Sequence, residues 1–177
     1  MMRGIRCGLA VAAILGSSLV FVLAQEENCR LLDTEAGRKF LPDAVPMETD
    51  VIPVDTKNFS ALQFPNKSRI AIAGLLTAGM PDAVQKKYRY VLVAETRLKL
   101  DRVSLPAGMI GLAPDAGAKQ DPASLVLIAR DFSGSEISRV VLTLDAGGQA
   151  AALALTPKSP TEFELRIGKY VIRGSQR

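Results

Sequence analysis

The fold of this chain is decided by the stretch Glu162-Phe163-Glu164-Leu165-Arg166-Ile167-Gly168-Lys169-Tyr170-Val171-Ile172. Charged side chains at positions 162, 164 and 166 alternate with apolar ones at 163, 165 and 167, as a half-buried strand requires. Gly168-Lys169 fits a two-residue turn with glycine in its first central position. The stretch therefore predicts a β-hairpin in which residues 170–172 pair back onto the first strand.

Short apolar runs separated by turn residues continue upstream of this hairpin. Residues 70–76 predict a buried strand, and residues 88–100 predict the longest strand, with Tyr88, Tyr90 and Leu92 on one face. Residues 137–144 and 150–155 flank a turn at 145–148 and predict a second hairpin. About eight to ten strands at spacings of roughly ten residues, without intervening helical patterns, indicate an all-β protein. We expect an antiparallel β-sandwich, with a small open barrel as the alternative.

The N-terminal 24 residues have the three parts of a secretory signal peptide. Arg3 and Arg6 form a basic start, residues 8–23 are apolar, and Val22-Leu23-Ala24 offers a cleavage site. An uncleaved anchor is less favoured because the apolar run is shorter than the roughly 20 residues that span a bilayer. We expect export to the periplasm or the extracellular space, with membrane contact only transiently through this signal.

The rest of the chain divides into two parts. Residues 25–50 are polar and contain prolines, which predicts either a tail or a short helix around residues 30–39 capped by Asp33 or Thr34. Residues 51–177 are expected to form the β-sandwich domain.

Charge and cysteine content narrow the class of partner. The chain has 22 basic and 18 acidic residues, and removal of Arg3 and Arg6 leaves 20 against 18. This near-neutral balance gives no reason to expect nucleic-acid binding. Cys29 becomes the only cysteine after cleavage, so no internal disulfide can form. We expect a free thiol on a mobile tail, with a Cys29-linked or edge-strand oligomer as the alternative.

The chain contains no histidine. Ser-His-Asp and Cys-His catalysis and histidine-based metal sites are therefore excluded. Two carboxylate pairs, Asp131 with Glu136 and Asp115 with Asp121, have the composition of a glycosidase site but stand beside turn residues, where carboxylates usually stabilise the turn. We expect no catalytic residue, no metal site and no cofactor.

Two basic clusters lie next to tyrosines and form the candidate ligand surface. Aromatic faces and arginine planes stack on sugars and bind anions, although lysines also serve simply to protect sheet edges. The candidate residues are Lys86, Lys87, Tyr88, Arg89, Tyr90, Arg166, Lys169 and Tyr170.

Residues 98–112 contain a strand, the turn Asp101-Arg102, and a Leu105-Pro106-Ala107-Gly108 corner before a further strand. This segment resembles a hairpin of small exported bacterial β-proteins, the DUF2911 family. It departs from that pattern at Asp101-Arg102, where a glycine pair is common, and at Ile110, where tyrosine is common. The resemblance implies a β-sandwich and no activity.

Three functions remain open at this point. The first is a non-catalytic, exported module of the cell envelope that binds an unknown protein or glycan. The second is a subunit of an extracellular or envelope assembly that uses its tail or an edge strand. The third is a carbohydrate-active enzyme that works with carboxylates alone.

Overall fold

The computed structural model describes residues 28–118 and 121–177. The predicted signal peptide, residues 1–24, lies outside the described residues. Within them, the helices are α1 Thr34–Phe40 and α2 Asp82–Lys87. Neither of these is long and apolar enough to cross a membrane. The strands of the described residues are β1 Arg30–Leu31, β2 Ala44–Met47, β3 Asp50–Gln63, β4 Arg69–Leu75, β5 Tyr90–Ala94, β6 Leu98–Leu100, β7 Val103–Leu105, β8 Gly108–Pro114, β9 Ser124–Arg130, β10 Glu136–Leu144, β11 Ala151–Pro157, β12 Glu162–Gly168 and β13 Tyr170–Gln176.

The strands form one curved, nearly closed, barrel-like sheet. Their order is β1-β3-β4-β5-β8-β9-β10-β13-β12-β11, with β2 beside β3 and the β6–β7 hairpin beside β13. Every pairing in the described residues is antiparallel. The two ends of the sheet meet where the Leu155 N–H donates a 2.9 Å hydrogen bond to the hydroxyl of Ser60. The all-β class predicted from the sequence is confirmed.

The C-terminal hairpin is formed as its alternation predicts. Ile167 pairs with Tyr170 across the turn, and Gly168 has a φ of 62°, which glycine adopts without steric cost. The apolar residues of β12, Phe163, Leu165 and Ile167, are buried in the sheet interior. Burial of each side chain of this size contributes about 1.5–3 kcal/mol to the free energy of folding.

Strand β4 is buried on both faces, which explains its unbroken apolar run. Ile70 and Ile72 point into the sheet interior, whereas Ala71 and Ala73 belong to a second apolar cluster on the outer face. This second cluster lies under β2 and the two helices, whose contributions include Val45, Met47 and Val84. The predicted buried strand is confirmed for residues 70–75, whereas Leu76 lies beyond the end of β4 and is exposed.

Residues 28–50 contribute strands β1 and β2 to the sheet and pack helix α1 against it. Asp33 caps α1, since its carboxylate accepts a 2.8 Å hydrogen bond from the Ala36 N–H. Cys29 lies in the interior cluster with 5 % of its surface exposed, so the expected thiol on a mobile tail is wrong. This burial disfavours a Cys29-linked oligomer, and it raises the pKa of the thiol to about 11.

The expected hairpin of residues 137–155 is corrected by the pairing. The strands β10 and β11 do not form a hairpin, because β12 and β13 lie between them in the sheet. The turn that joins them is instead tied to the next hairpin, where the Asp145 N–H donates to the Lys169 carbonyl at 2.9 Å. Alternation alone predicts both strands but not their partners, because partners at long sequence separation leave no local signal.

The long strand predicted at residues 88–100 is divided into β5 and β6. The chain bends after Ala94, where the Glu95 carboxylate accepts the backbone N–H of Arg69 at 2.8 Å and also binds its guanidinium. Tyr88 and Tyr90 do not share a face. Tyr88 ends α2 and packs in the outer cluster, whereas Tyr90 packs against the interior cluster.

Candidate functional site

A cavity of about 670 Å³ opens at one end of the barrel-like sheet. It is bounded where strands begin or end: β5 and β9 begin here, β8 ends here, and the β12–β13 turn closes one side. We call this cavity the mouth pocket. Mouths of barrel-like sheets are frequent ligand sites because side chains of several strands converge there. The apolar part of its lining includes Leu75, Leu76, Leu125 and Ile167.

A bulge in β3 supplies two polar side chains to the mouth pocket. The pairs Asp55–Gly74 and Phe59–Ala73 flank residues 56–58, which have no partner on β4. A Cβ placed on Gly74 would lie 3.5 Å from Asn58 Nδ2 and 3.5 Å from Asp55 Cβ, so both side chains lie over this glycine. Bulges re-aim side chains at barrel rims and beside functional sites, and this bulge turns Asp55 and Asn58 toward the pocket.

Two tyrosines and one arginine add to the polar lining. Tyr90 is the first residue of β5 and Tyr170 the first residue of β13, and both rings are half-buried against the interior cluster. Arg89 precedes β5 and is held through its backbone, which donates to the Leu112 carbonyl at 2.9 Å. The mouth pocket therefore combines aromatic rings that are fixed by packing with a cation at its rim.

Most polar groups of the mouth pocket are free to bind a ligand. Within the described residues, the side chains of Asn58, Arg89, Tyr90 and Tyr170 have no hydrogen-bond or ion-pair partner. One Asp55 oxygen is engaged, since Oδ1 accepts the Lys57 N–H at 3.0 Å. The lining contains one cationic side chain, Arg89, and one anionic side chain, Asp55, so its formal charges cancel.

Three of the predicted surface residues lie at α2, and two of them, Lys87 and Tyr88, stabilise the fold. The ring of Tyr88 is 1 % exposed, and its hydroxyl donates to Glu48 Oε1 at 2.9 Å. Lys87 donates to the same oxygen at 2.8 Å, while Lys86 is exposed on α2. The Lys87 and Tyr88 hydrogen bonds lower the pKa of Glu48, and burial raises the pKa of Tyr88. These contacts fasten the β2–β3 turn to the sheet.

The remaining predicted residues lie on the outer face near the β12–β13 turn. The Arg166 guanidinium binds Asp145 at 2.6 Å and Glu164 at 3.2 Å, and the Arg166 bond lowers the pKa of Asp145. Lys169 is exposed in the turn itself. Of the eight predicted residues, the mouth pocket thus brings together Arg89, Tyr90 and Tyr170.

The carboxylates considered for catalysis hold turns or ion pairs. Asp131 Oδ1 accepts the N–H groups of Ser133 and Ser135 at 2.9 and 3.0 Å, and the Ser133 hydroxyl lowers the pKa of Asp131. Glu136 and Asp115 both bind Arg139, at 2.9 and 2.7 Å.

Asp121 likewise holds a turn, because its Oδ1 accepts the Ala123 N–H at 2.9 Å. In residues 28–118 and 121–177, no group of three or more potential ligand side chains is arranged to hold a metal ion.

Asp55, Asn58 and Thr77 line the mouth pocket but were not predicted as site residues. Thr77 is the one buried polar residue of the described chain and also lines the mouth pocket. The available signal was the polar run at residues 55–58, which interrupts an otherwise apolar alternation between Val54 and Phe59. Such an interruption inside a strand is what a bulge produces.

Comparisons with known proteins give no match: no protein-family model, no curated protein and no solved structure matches this chain. The resemblance of residues 98–112 to the DUF2911 family therefore stays a prediction. A fold alone does not specify a function, so the mouth pocket is the feature of this structure that bears on function.

Proposed function

We propose that this protein is an exported, non-catalytic binding module whose mouth pocket holds a carbohydrate. The observation that carries the proposal is the pair Tyr90 and Tyr170, placed beside unpartnered polar groups above an apolar floor. A sugar ring has an apolar C–H face and a rim of hydroxyls. Tyrosine rings match the face, and the free Asn58 and Arg89 groups match the rim.

The neutral sum of the lining supports an uncharged ligand. A strongly anionic ligand would be repelled by the carboxylate of Asp55, and a cationic ligand would be repelled by the guanidinium of Arg89. Neutral hydroxylated ligands avoid both penalties and still use both groups as hydrogen-bond partners.

The chemistry of the lining supports a non-catalytic role. The mouth pocket contains the single carboxylate Asp55 among its described residues, and glycoside cleavage by carboxylates needs two. The carboxylates Asp131 and Glu136, considered as a pair from the sequence, are not part of this lining.

Export rests on residues 1–24, and it has a direct test. N-terminal sequencing or intact-mass measurement of the protein recovered from its native host is expected to show a chain that begins near Gln25. A mass that includes Met1 would overturn export by a cleaved signal.

Binding is tested on a glycan array, followed by calorimetry with each glycan retained. We expect Tyr170→Ala to abolish binding, because it removes an aromatic wall of the mouth pocket. The matched control is Lys86→Ala, which removes an exposed side chain outside the pocket and is expected to leave affinity unchanged. An array without a single retained glycan, or equal losses in both variants, would overturn the proposal.

The alternative of an assembly subunit is a second candidate, with a second copy of this chain as the partner. Its supporting observation is the exposed pair Val141 and Leu144 on β10, beside a groove of about 560 Å³. Light scattering over a range of concentrations tests it. A dimer that Val141→Glu dissociates would support this candidate, and a monomer throughout would remove it.

A further inference from the structure

A second hollow of about 410 Å³ adjoins the mouth pocket. Three residues line both cavities: Pro114 at the end of β8, Leu125 in β9 and Tyr170 at the start of β13. The two cavities therefore share one wall, and the half-buried ring of Tyr170 is its aromatic part. We call this cavity the second hollow.

Each cavity alone has the size of a small-molecule site, which is roughly 300–1,000 Å³. A single sugar unit would occupy one cavity and leave the other to water. We propose that the ligand is a linear, uncharged oligosaccharide that crosses Tyr170, with one unit in the mouth pocket and the next in the second hollow. This inference rests on the proposed function and specifies its ligand as a chain.

The lining of the second hollow supports an uncharged chain. Its acids are already engaged: Asp115 Oδ2 binds Arg139 at 2.7 Å, and Asp121 Oδ1 accepts the Ala123 N–H at 2.9 Å. The wall also includes Pro122 and Val126, which offer apolar surface. A neutral sugar can lie on this apolar wall without displacing the contacts of either acid.

The test measures affinity against chain length with calorimetry. The probes are the monomer, dimer, trimer and tetramer of β-1,4-linked glucose, N-acetylglucosamine and xylose, together with the same lengths of any glycan that the array retains. In a series that binds, we expect the dissociation constant to fall by roughly tenfold from monomer to dimer and to change little beyond it, because the second unit covers further apolar surface at Pro122 and Val126. Equal affinity for monomer and trimer would overturn this inference and leave the proposed function standing.

A pair of variants separates the two cavities. Ala116 is exposed and lines only the second hollow of the two, so Ala116→Phe is designed to fill that hollow. We expect it to abolish the gain with chain length while monomer affinity stays unchanged. The matched control is Ala146→Phe, at an exposed position of another turn. If Ala116→Phe keeps the full gain, the second hollow holds no ligand unit; if no probe binds at all, the proposed function itself fails.

Discussion

Replacing Tyr88 by phenylalanine tests whether this tyrosine holds the fold or belongs to a ligand surface. The change keeps the buried ring and removes one hydrogen bond, from the hydroxyl to Glu48 Oε1 at 2.9 Å. Hydrogen bonds to charged groups contribute about 1.5–3 kcal/mol. Glu48 is 31 % exposed and keeps its ion pair with Lys87, so we expect the lower end of this range, a loss of about 1.5 kcal/mol in the free energy of unfolding.

The loss also depends on pH, with a sign that the Glu48 contacts determine. The hydrogen bonds of Lys87 and Tyr88 lower the pKa of Glu48, so its stabilising contribution is present above its ordinary pKa. That contribution disappears as the pH falls through the lowered pKa and the carboxylate is protonated. The difference between wild type and Tyr88→Phe is therefore expected to shrink as the pH falls below about 4.

Urea unfolding gives the measurement, with the midpoint shifting at constant slope. The matched control is Tyr90→Phe, whose hydroxyl has no partner in the described chain and whose loss leaves stability unchanged. A double-mutant cycle with Glu48→Gln isolates the pair. Unchanged stability of Tyr88→Phe combined with weakened carbohydrate binding would refute this reasoning and return Tyr88 to the ligand surface.

Three further predictions concern packing, closure of the sheet and the thiol. Gly111→Ala places a Cβ 2.6 Å from an aromatic ring and should cost about 1–3 kcal/mol in thermal unfolding, whereas Gly147→Ala, with no atom within 4 Å, should change little. Ser60→Ala removes the acceptor of the Leu155 N–H, so hydrogen exchange at that amide should accelerate. Equal exchange rates in wild type and variant would contradict this contact between the two ends of the sheet. Cys29 should resist N-ethylmaleimide until urea unfolds the chain, as followed by peptide mass spectrometry, and its stabilisation should decline between pH 9 and 11, because the raised pKa favours the folded state only while the thiol is protonated.

Local patterns predicted the local elements of this fold. The β12–β13 hairpin follows from its alternation and from a glycine with positive φ, both of which are set within a few residues. The same kind of pattern could not place β10 beside β9 and β13 instead of β11. The choice of partner strand depends on which strands bury the most surface together. A local pattern does not contain this information, because the partner strands are far apart in the sequence.

The candidate site was predicted by residue type rather than by position. Tyr90, Tyr170 and Arg89 were selected because tyrosines stood beside basic residues, and the fold brings these three to one cavity. Tyr88 satisfied the same rule and is buried, because it follows α2 and turns to the outer cluster. Asp55 and Asn58 were missed because their exposure to the pocket depends on a bulge.

The covering of the outer face is consistent with a proposed ligand site at the mouth of the sheet. The outer surfaces of β3, β4 and β5 present small residues such as Ala61, Ala71 and Ala73, which leave room for side chains from β2 and α2. Met47 and Tyr88 fill that space, so this face is not available to a ligand. A chain that began at residue 51 would lose β1, α1 and β2 and expose this second cluster to water. The N-terminal segment thus closes one side of the sheet, and the free polar groups remain where the strands end.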